Sequence, residues 1–292
     1  MIRTPGHRVG DARRRNTCRA ALPAPICCAW APPRTVIAMD VTIITATRLV
    51  PARIPYLLQL HASLAAQQDA AWRWILALDG VPADRVPPAL RQDSRVTVVE
   101  SARPAGAAAV RNLALHHVQT PWTTSAADDD LLPAGSLRRR LRAAAAHSGA
   151  GWVAGRSDDL LPGGRLRRWT CPAPPGHHAP GGVWRCWPAP EATLPLGPWT
   201  LLTRTDLLRR VGGWQGLPQA EDIGMLIAVT GTAPGIVLPE SVYCYRKHPG
   251  QMMRSPGFDL LEPAVRQITW ERGRLLHLAA GDHSAQPILQ PA

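Results

Sequence analysis

The strongest constraint on the fold is an alternation of short β-branched runs with amphipathic stretches, in which two of the runs end on aspartate. Residues 41–46 (VTIITA) form a run of the kind a buried strand requires. Pro55 suits the first turn of a helix, and Ile54, Leu57, Leu58, His61 and Leu64 recur at helical spacing. Residues 73–78 (RWILAL) make a second strand ending at Asp79-Gly80, and 95–100 (RVTVVE) a third, followed by a helix over 106–117. A fourth strand, 122–127, runs straight into Asp128-Asp129-Asp130. This order predicts right-handed crossovers and a largely parallel sheet. In such sheets ligands sit beyond the carboxyl ends of the strands, where Asp79 and the triple aspartate both fall.

The second half is less regular. The pattern predicts a helix over 134–147, a strand over 151–155, and a Pro- and Gly-rich loop over 161–198 suited to a lid or an acceptor-binding segment. Order resumes at 199–203, with a helix near 206–211, the turn Gly212-Gly213-Trp214, a helix from Glu221-Asp222 and a strand over 235–238. Tyr243 and Tyr245 mark a further strand, and an amphipathic helix covers 260–280. The expected fold class is therefore α/β, with a mostly parallel central sheet flanked by helices, in a single domain over 39–280. Residues 1–38 show neither a period of 3.6 nor of 2 and are expected to be a disordered basic leader, with Met39 as an alternative start. Residues 281–292 are expected to be a flexible tail. Arg19, Pro23 and Pro25 interrupt the only stretch that resembles a secretory signal.

Of the 292 residues, 46% are apolar, which allows a sizeable core, and no clean apolar run reaches the roughly 18 residues of a membrane span. The formal charge is +12, but residues 1–38 hold seven Arg against one acid, so much of the excess is local. With no helix-turn-helix spacing, zinc module or aromatic RNA-binding signature, this basicity is weak evidence for a nucleic-acid partner. None of the six Cys lies in a C-x-x-C pair; they read as reduced thiols in a reducing compartment. The expected location is cytoplasmic, with peripheral placement at the inner face of the membrane as the alternative.

Three clusters carry candidate chemistry. Adjacent carboxylates at 128–130 repel one another unless a cation or basic groups offset them, and hard divalent ions such as Mg²⁺ prefer such oxygen ligands; the competing reading is a solvated turn or helix cap. Glu221-Asp222 is either a first-turn pair complementing a helix dipole or a general base. Arg246-Lys247-His248 supplies donors for a diphosphate, with His248 also a metal candidate, or is an exposed basic turn. Arg111-Asn112 could face a phosphate or solvent. Trp152, Trp169, Trp184, Trp187 and Trp199 could stack on sugar rings or anchor the core.

The order of these features resembles family 2 glycosyltransferases over residues 41–255, most discriminatingly in Gly212-Gly213-Trp214 followed by Glu221-Asp222. The resemblance implies a GT-A, Rossmann-like fold and inverting transfer of a sugar from a UDP-, GDP- or dTDP-sugar to an acceptor hydroxyl. It implies that Thr45, Ala46 and Thr47 line the nucleoside pocket, that Asp79 approaches the base and Arg111 the donor, and that Arg246, Lys247 and His248 close over the phosphates. Asp128 and Asp130 would hold Mn²⁺ or Mg²⁺ with the diphosphate, His248 assisting, and Asp222 would be the catalytic base with Glu221 beside it. The sequence departs from the family in having Thr45-Ala46 for Pro-Thr and Leu78-Asp79 for Asp-Asp. The spacing to Pro133 also allows Asp129 as a metal ligand in place of Asp128. Nucleotidyl transfer, for which no phosphate-gripping Gly-rich loop is present, and non-enzymatic nucleic-acid binding are the rival readings.

Overall fold

A computed structural model describes residues 40–68, 70–254 and 257–279; the expected leader and tail lie outside the described residues. The chain opens with β1 (Asp40–Thr47), α1 (Ile54–Ala65), β2 (Ala71–Asp79), α2 (Pro88–Arg91), β3 (Val96–Ser101), α3 (Ala107–His116) and β4 (Trp122–Ser125). It continues through α4 (Ser136–Ala146), β5 (Trp152–Leu160), β6 (Leu166–Arg168), β7 (Gly176–His178), β8 (Leu202–Arg204) and α5 (Thr205–Arg210). It ends with α6 (Glu221–Thr232), β9 (Gly235–Arg246) and α7 (Phe258–Ala279).

These strands form one sheet in the order β3-β2-β1-β4-β8-β5-β9-β7, with β6 paired to β5. The long pairings, β1 with β2, β2 with β3, β1 with β4 and β5 with β9, are parallel. Antiparallel pairings are short, two or three residues each, and bring in β6, β7 and β8. The two structured pieces β6 and β7 stand inside the stretch read from sequence as one loop.

The sheet is buried on both faces, and its period of two sorts side chains between them. Trp72, Trp74, Leu76 and Leu78 of β2 pack with Leu57, Leu60 and Leu64 of α1 and Leu137 and Leu141 of α4. Ile75 and Ala77 pack on the opposite face, in a cluster with Val110 and Leu115 of α3, Leu207 of α5 and Leu226 of α6. A third cluster of Trp184, Trp187, Ile223, Ile227 and Trp270 joins α6, α7 and the segment between β7 and β8.

β9 is three times the length expected from 235–238. Pro239-Glu240 break the apolar run, but the strand survives through a bulge: Ala154 faces Val237 while Arg156 already faces Ser241. The bulge carries Tyr243, Tyr245 and the basic turn to the end of β4, where Leu131 bridges to Cys244. Chain order reverses between β1 and β4, the crevice where doubly wound sheets bind ligands. Cys171, Cys186 and Cys244, the described cysteines, are free thiols. No helix among the described residues is long and apolar enough to cross a membrane.

Candidate functional site

A cavity of about 450 Å³ opens over the carboxyl ends of β1 and β4. Asp128, Asp129 and Asp130 line it from one side, Glu221 and Asp222 from another, Arg53, Arg111 and Lys247 supply its cations, and Ala46 of β1 also lines it. Acids nearly a hundred residues apart in sequence thus share one hollow.

Glu221 and Asp222 reach it through a strained turn. Ala220 caps α6 in the left-handed region (φ 56°), a conformation that costs a residue with a Cβ on the order of 1 kcal/mol and that starts the helix at the cavity wall. Upstream, Gly213 (φ 67°) leaves no room for a Cβ, which would collide with the Asn112 carboxamide oxygen. Asn112 clamps the turn in both directions: its Nδ2 donates to the Trp214 carbonyl at 2.8 Å, and the Trp214 N–H donates to its Oδ1 at 2.9 Å. Arg111, one residue earlier on α3, donates to the Glu221 carboxylate and sits over the Trp214 ring. The Arg111-Asn112 and Gly-Gly-Trp signals are therefore one device that fixes the acid pair. Asn112→Ala should cost about 1–3 kcal/mol by stranding two backbone groups, checked by urea denaturation, and should lower activity by loosening Glu221-Asp222.

Burial pushes the Asp222 carboxyl up to about 7; the neighbouring Glu221 charge adds to the rise and Arg111 opposes it. Its Oδ1 accepts the Ile223 N–H at 2.8 Å. Asp222 is thus a carboxylate whose proton affinity is matched to neutral pH, as a general base requires.

The triple aspartate is wired to the protein residue by residue. Asp130 is 1% exposed, and both its oxygens are occupied: Oδ2 accepts the Tyr243 hydroxyl at 2.9 Å and Oδ1 the Arg246 N–H at 2.7 Å. Burial, and then the Asp129 charge, raise the Asp130 carboxyl well above its usual range. Asp128 Oδ2 accepts the Thr47 hydroxyl at 2.5 Å, and burial raises this carboxyl too, with Arg53 opposing. Asp129 Oδ2 lies 2.8 Å from His248 Nε2. Arg53 Nη2 lies 2.5 Å from both Asp128 Oδ1 and Asp129 Oδ2. The oxygens are of the hard type that Mg²⁺ and Mn²⁺ select, yet both oxygens of Asp128 and Asp130 and Oδ2 of Asp129 face protein donors. Among the described residues no group of three or more His, Cys, Asp or Glu side chains converges as a ready-made metal centre. The two carboxylates that share one cationic partner are Asp128 and Asp129, through Arg53, while Asp130 faces Tyr243 and the Arg246 N–H.

Other expected residues stand behind the wall. Thr45 is fully buried and accepts the Trp74 indole N–H at 2.9 Å, while Thr47 reaches the cavity only through Asp128. Asp79 does not line the cavity: it accepts the backbone N–H groups of Ala105 at 2.6 Å and Gly106 at 3.1 Å and the Arg48 Nε at 2.8 Å, holding the entry to α3. These donors hold its carboxyl below the usual range although burial opposes them. Arg246 and His248 likewise serve the acids and not the cavity surface, Arg246 Nε donating to the Asp129 carbonyl at 2.5 Å.

Sequence reasoning missed Arg53, Asp159 and the role of Tyr243. Asp159 pairs with Arg167 at 2.6 Å and Lys247 at 3.2 Å at the far wall. There Trp199 stacks on Tyr245 with centroids 4.7 Å apart and Trp169 stands 6.4 Å from Trp199, an aromatic surface of the kind that receives sugar rings. Trp152, Trp184 and Trp187 are core residues instead.

A mostly parallel sheet with an acid-lined cavity at its switch point is the arrangement of a GT-A-type fold. Residues 42–180 match the family described as glycosyl transferase family 2. The match spans a little under half of the chain, which over those residues carries a glycosyl transferase family 2 domain. No curated protein sequence matches it significantly. Among solved structures, Staphylococcus aureus TarS 1–349 in complex with UDP-GlcNAc is 17% identical with a TM-score of 0.61, covering 85% of this chain and 68% of that one. The same fragment in complex with UDP gives 17% identity, a TM-score of 0.57 and coverages of 85% and 67%. Against the longer TarS structure the values are 15%, 0.56, 85% and 41%. At these identities the likeness establishes the fold.

Proposed function

We propose that the protein moves a sugar from a nucleoside-diphosphate donor to an acceptor hydroxyl with inversion, Asp222 taking the acceptor proton. The observation that carries this is the sharing of one cavity by a carboxyl poised near pH 7 and the acid cluster with its cations. The nucleotide complexes of the TarS fragment support a uridine diphosphate donor.

Bond cleavage at the anomeric carbon passes through an oxocarbenium-like state, and negative charge grows on the departing diphosphate. Arg53, Arg111 and Lys247 line the space where that charge develops and are placed to stabilise it. Mn²⁺ or Mg²⁺ held by Asp128 and Asp129 would neutralise the same charge when bound. Asp222, on another wall, withdraws the proton as the hydroxyl attacks from the face opposite the leaving group, so that one displacement inverts the centre. Trp199, Tyr245 and Trp169 offer the flat surface for the acceptor or the transferred ring.

The test is release of free sugar and nucleotide from a panel of UDP-, GDP- and dTDP-sugars, with and without Mn²⁺. Turnover of at least one UDP-sugar is expected; no turnover or binding of any donor in the panel would overturn the reading.

A further inference from the structure

Arg53 occupies the middle of the acid cluster. It ends the 3-10 turn Pro51–Arg53 between β1 and α1, so its backbone is fixed from both sides. One nitrogen, Nη2, is shared at 2.5 Å between oxygens of two different residues, Asp128 and Asp129. Arg usually offers a carboxylate two parallel N–H groups. Here the fork is not used in that way, and the buried Nε has no hydrogen-bond partner. A single positive point between two carboxylates, on a side chain only 25% exposed, is the arrangement of a bridging cation.

We infer that Arg53 is the resident occupant of the cation position between Asp128 and Asp129, and that a divalent ion binds there only by displacing it. Three adjacent carboxylates with no donor bound need a counter-charge, and Arg53 supplies it from within the chain. Mg²⁺ takes carboxylate oxygens at about 2.0–2.1 Å and cannot share the position with a guanidinium. Because Arg53 also lines the cavity, displacement carries its charge into the space proposed above for the diphosphate, a step that rests on that reading. Metal and donor would then be taken up together, since the donor gives the expelled guanidinium a new partner.

The test is Mn²⁺ binding to the donor-free protein by electron paramagnetic resonance, comparing wild type with Arg53→Met and Arg53→Gln. Both variants are expected to bind one Mn²⁺ at least about tenfold more tightly than wild type, the loss of a competitor worth that ratio or more. Adding Asp129→Asn to either variant should abolish the gain. Equal or weaker binding by the variants, or a gain that persists without Asp129, would overturn the inference. Should the variants be unfolded without metal, Mn²⁺ itself must restore a cooperative melt, and failure to do so counts against the inference. These readouts use no nucleotide sugar, so an inactive donor panel with a tenfold Mn²⁺ gain would sink the proposed donor and leave Arg53 in its role.

Discussion

Asp222→Asn is expected to lower transfer by about 10²–10⁴-fold while leaving nucleotide affinity largely intact, because only the proton acceptor is lost. Asp222 does not touch the triple aspartate in any hydrogen bond, and the asparagine keeps an oxygen for the Ile223 N–H. The wild-type enzyme should show a matching pH profile. A base acts only when ionised, and burial places this carboxyl at about 7, so kcat/KM should fall as pH drops through about 7. Glu221→Gln removes the like charge that adds to this rise and frees Arg111, which opposes it. It should therefore move the acid limb to lower pH. An acid limb near pH 4 in wild type, or one unmoved by Glu221→Gln, would take Asp222 out of the role of base.

Asp130→Ala should be the most damaging change for the fold around the site, costing about 2–5 kcal/mol in thermal or urea denaturation. The tyrosine hydroxyl of Tyr243 and the Arg246 N–H would both be left in a dry environment, each worth about 1–3 kcal/mol when stranded. Loss of a buried carboxyl beside Asp129 returns part of that cost, which keeps the total below the sum of the two. Asp130→Asn keeps one acceptor oxygen and turns the other into an NH2, so one of the two donors loses its acceptor and the cost should be smaller than for Asp130→Ala, about 1–3 kcal/mol. This variant should keep Mn²⁺ affinity, since Asp130 faces protein donors and not the shared cation position. If Asp130→Asn folds normally but loses Mn²⁺ binding, the assignment of that position to Asp128 and Asp129 fails.

The parts of the molecule legible in sequence are those whose signal is local. β1, β2 and β3 sit inside a sheet covered on both faces, so burial writes itself as short, nearly unbroken apolar runs. Asp128–Asp130 and Glu221-Asp222 stand at the ends of elements, where an apolar pattern stops and acids become conspicuous. Strand alternation would have corrected the nucleoside wall: Thr45 and Thr47 share a face that Ala46 does not, and only Ala46 lines the cavity. The length of β9 was hidden because Pro239-Glu240 looks like a strand end, whereas the fold absorbs it as a bulge. Arg53 and Tyr243 were out of reach for a different reason. Their importance comes from partners 75 to 113 positions away, and neither sits in a pattern that marks it.

Direct displacement requires a proton acceptor and a diphosphate-binding cluster on different walls of the same cavity. The anomeric configuration of the sugar first released when the enzyme hydrolyses an α-linked UDP-sugar, followed by ¹H NMR before mutarotation, tests this most directly. The β anomer is predicted in wild type, with no release above background from Asp222→Asn; first release of the α anomer would contradict it.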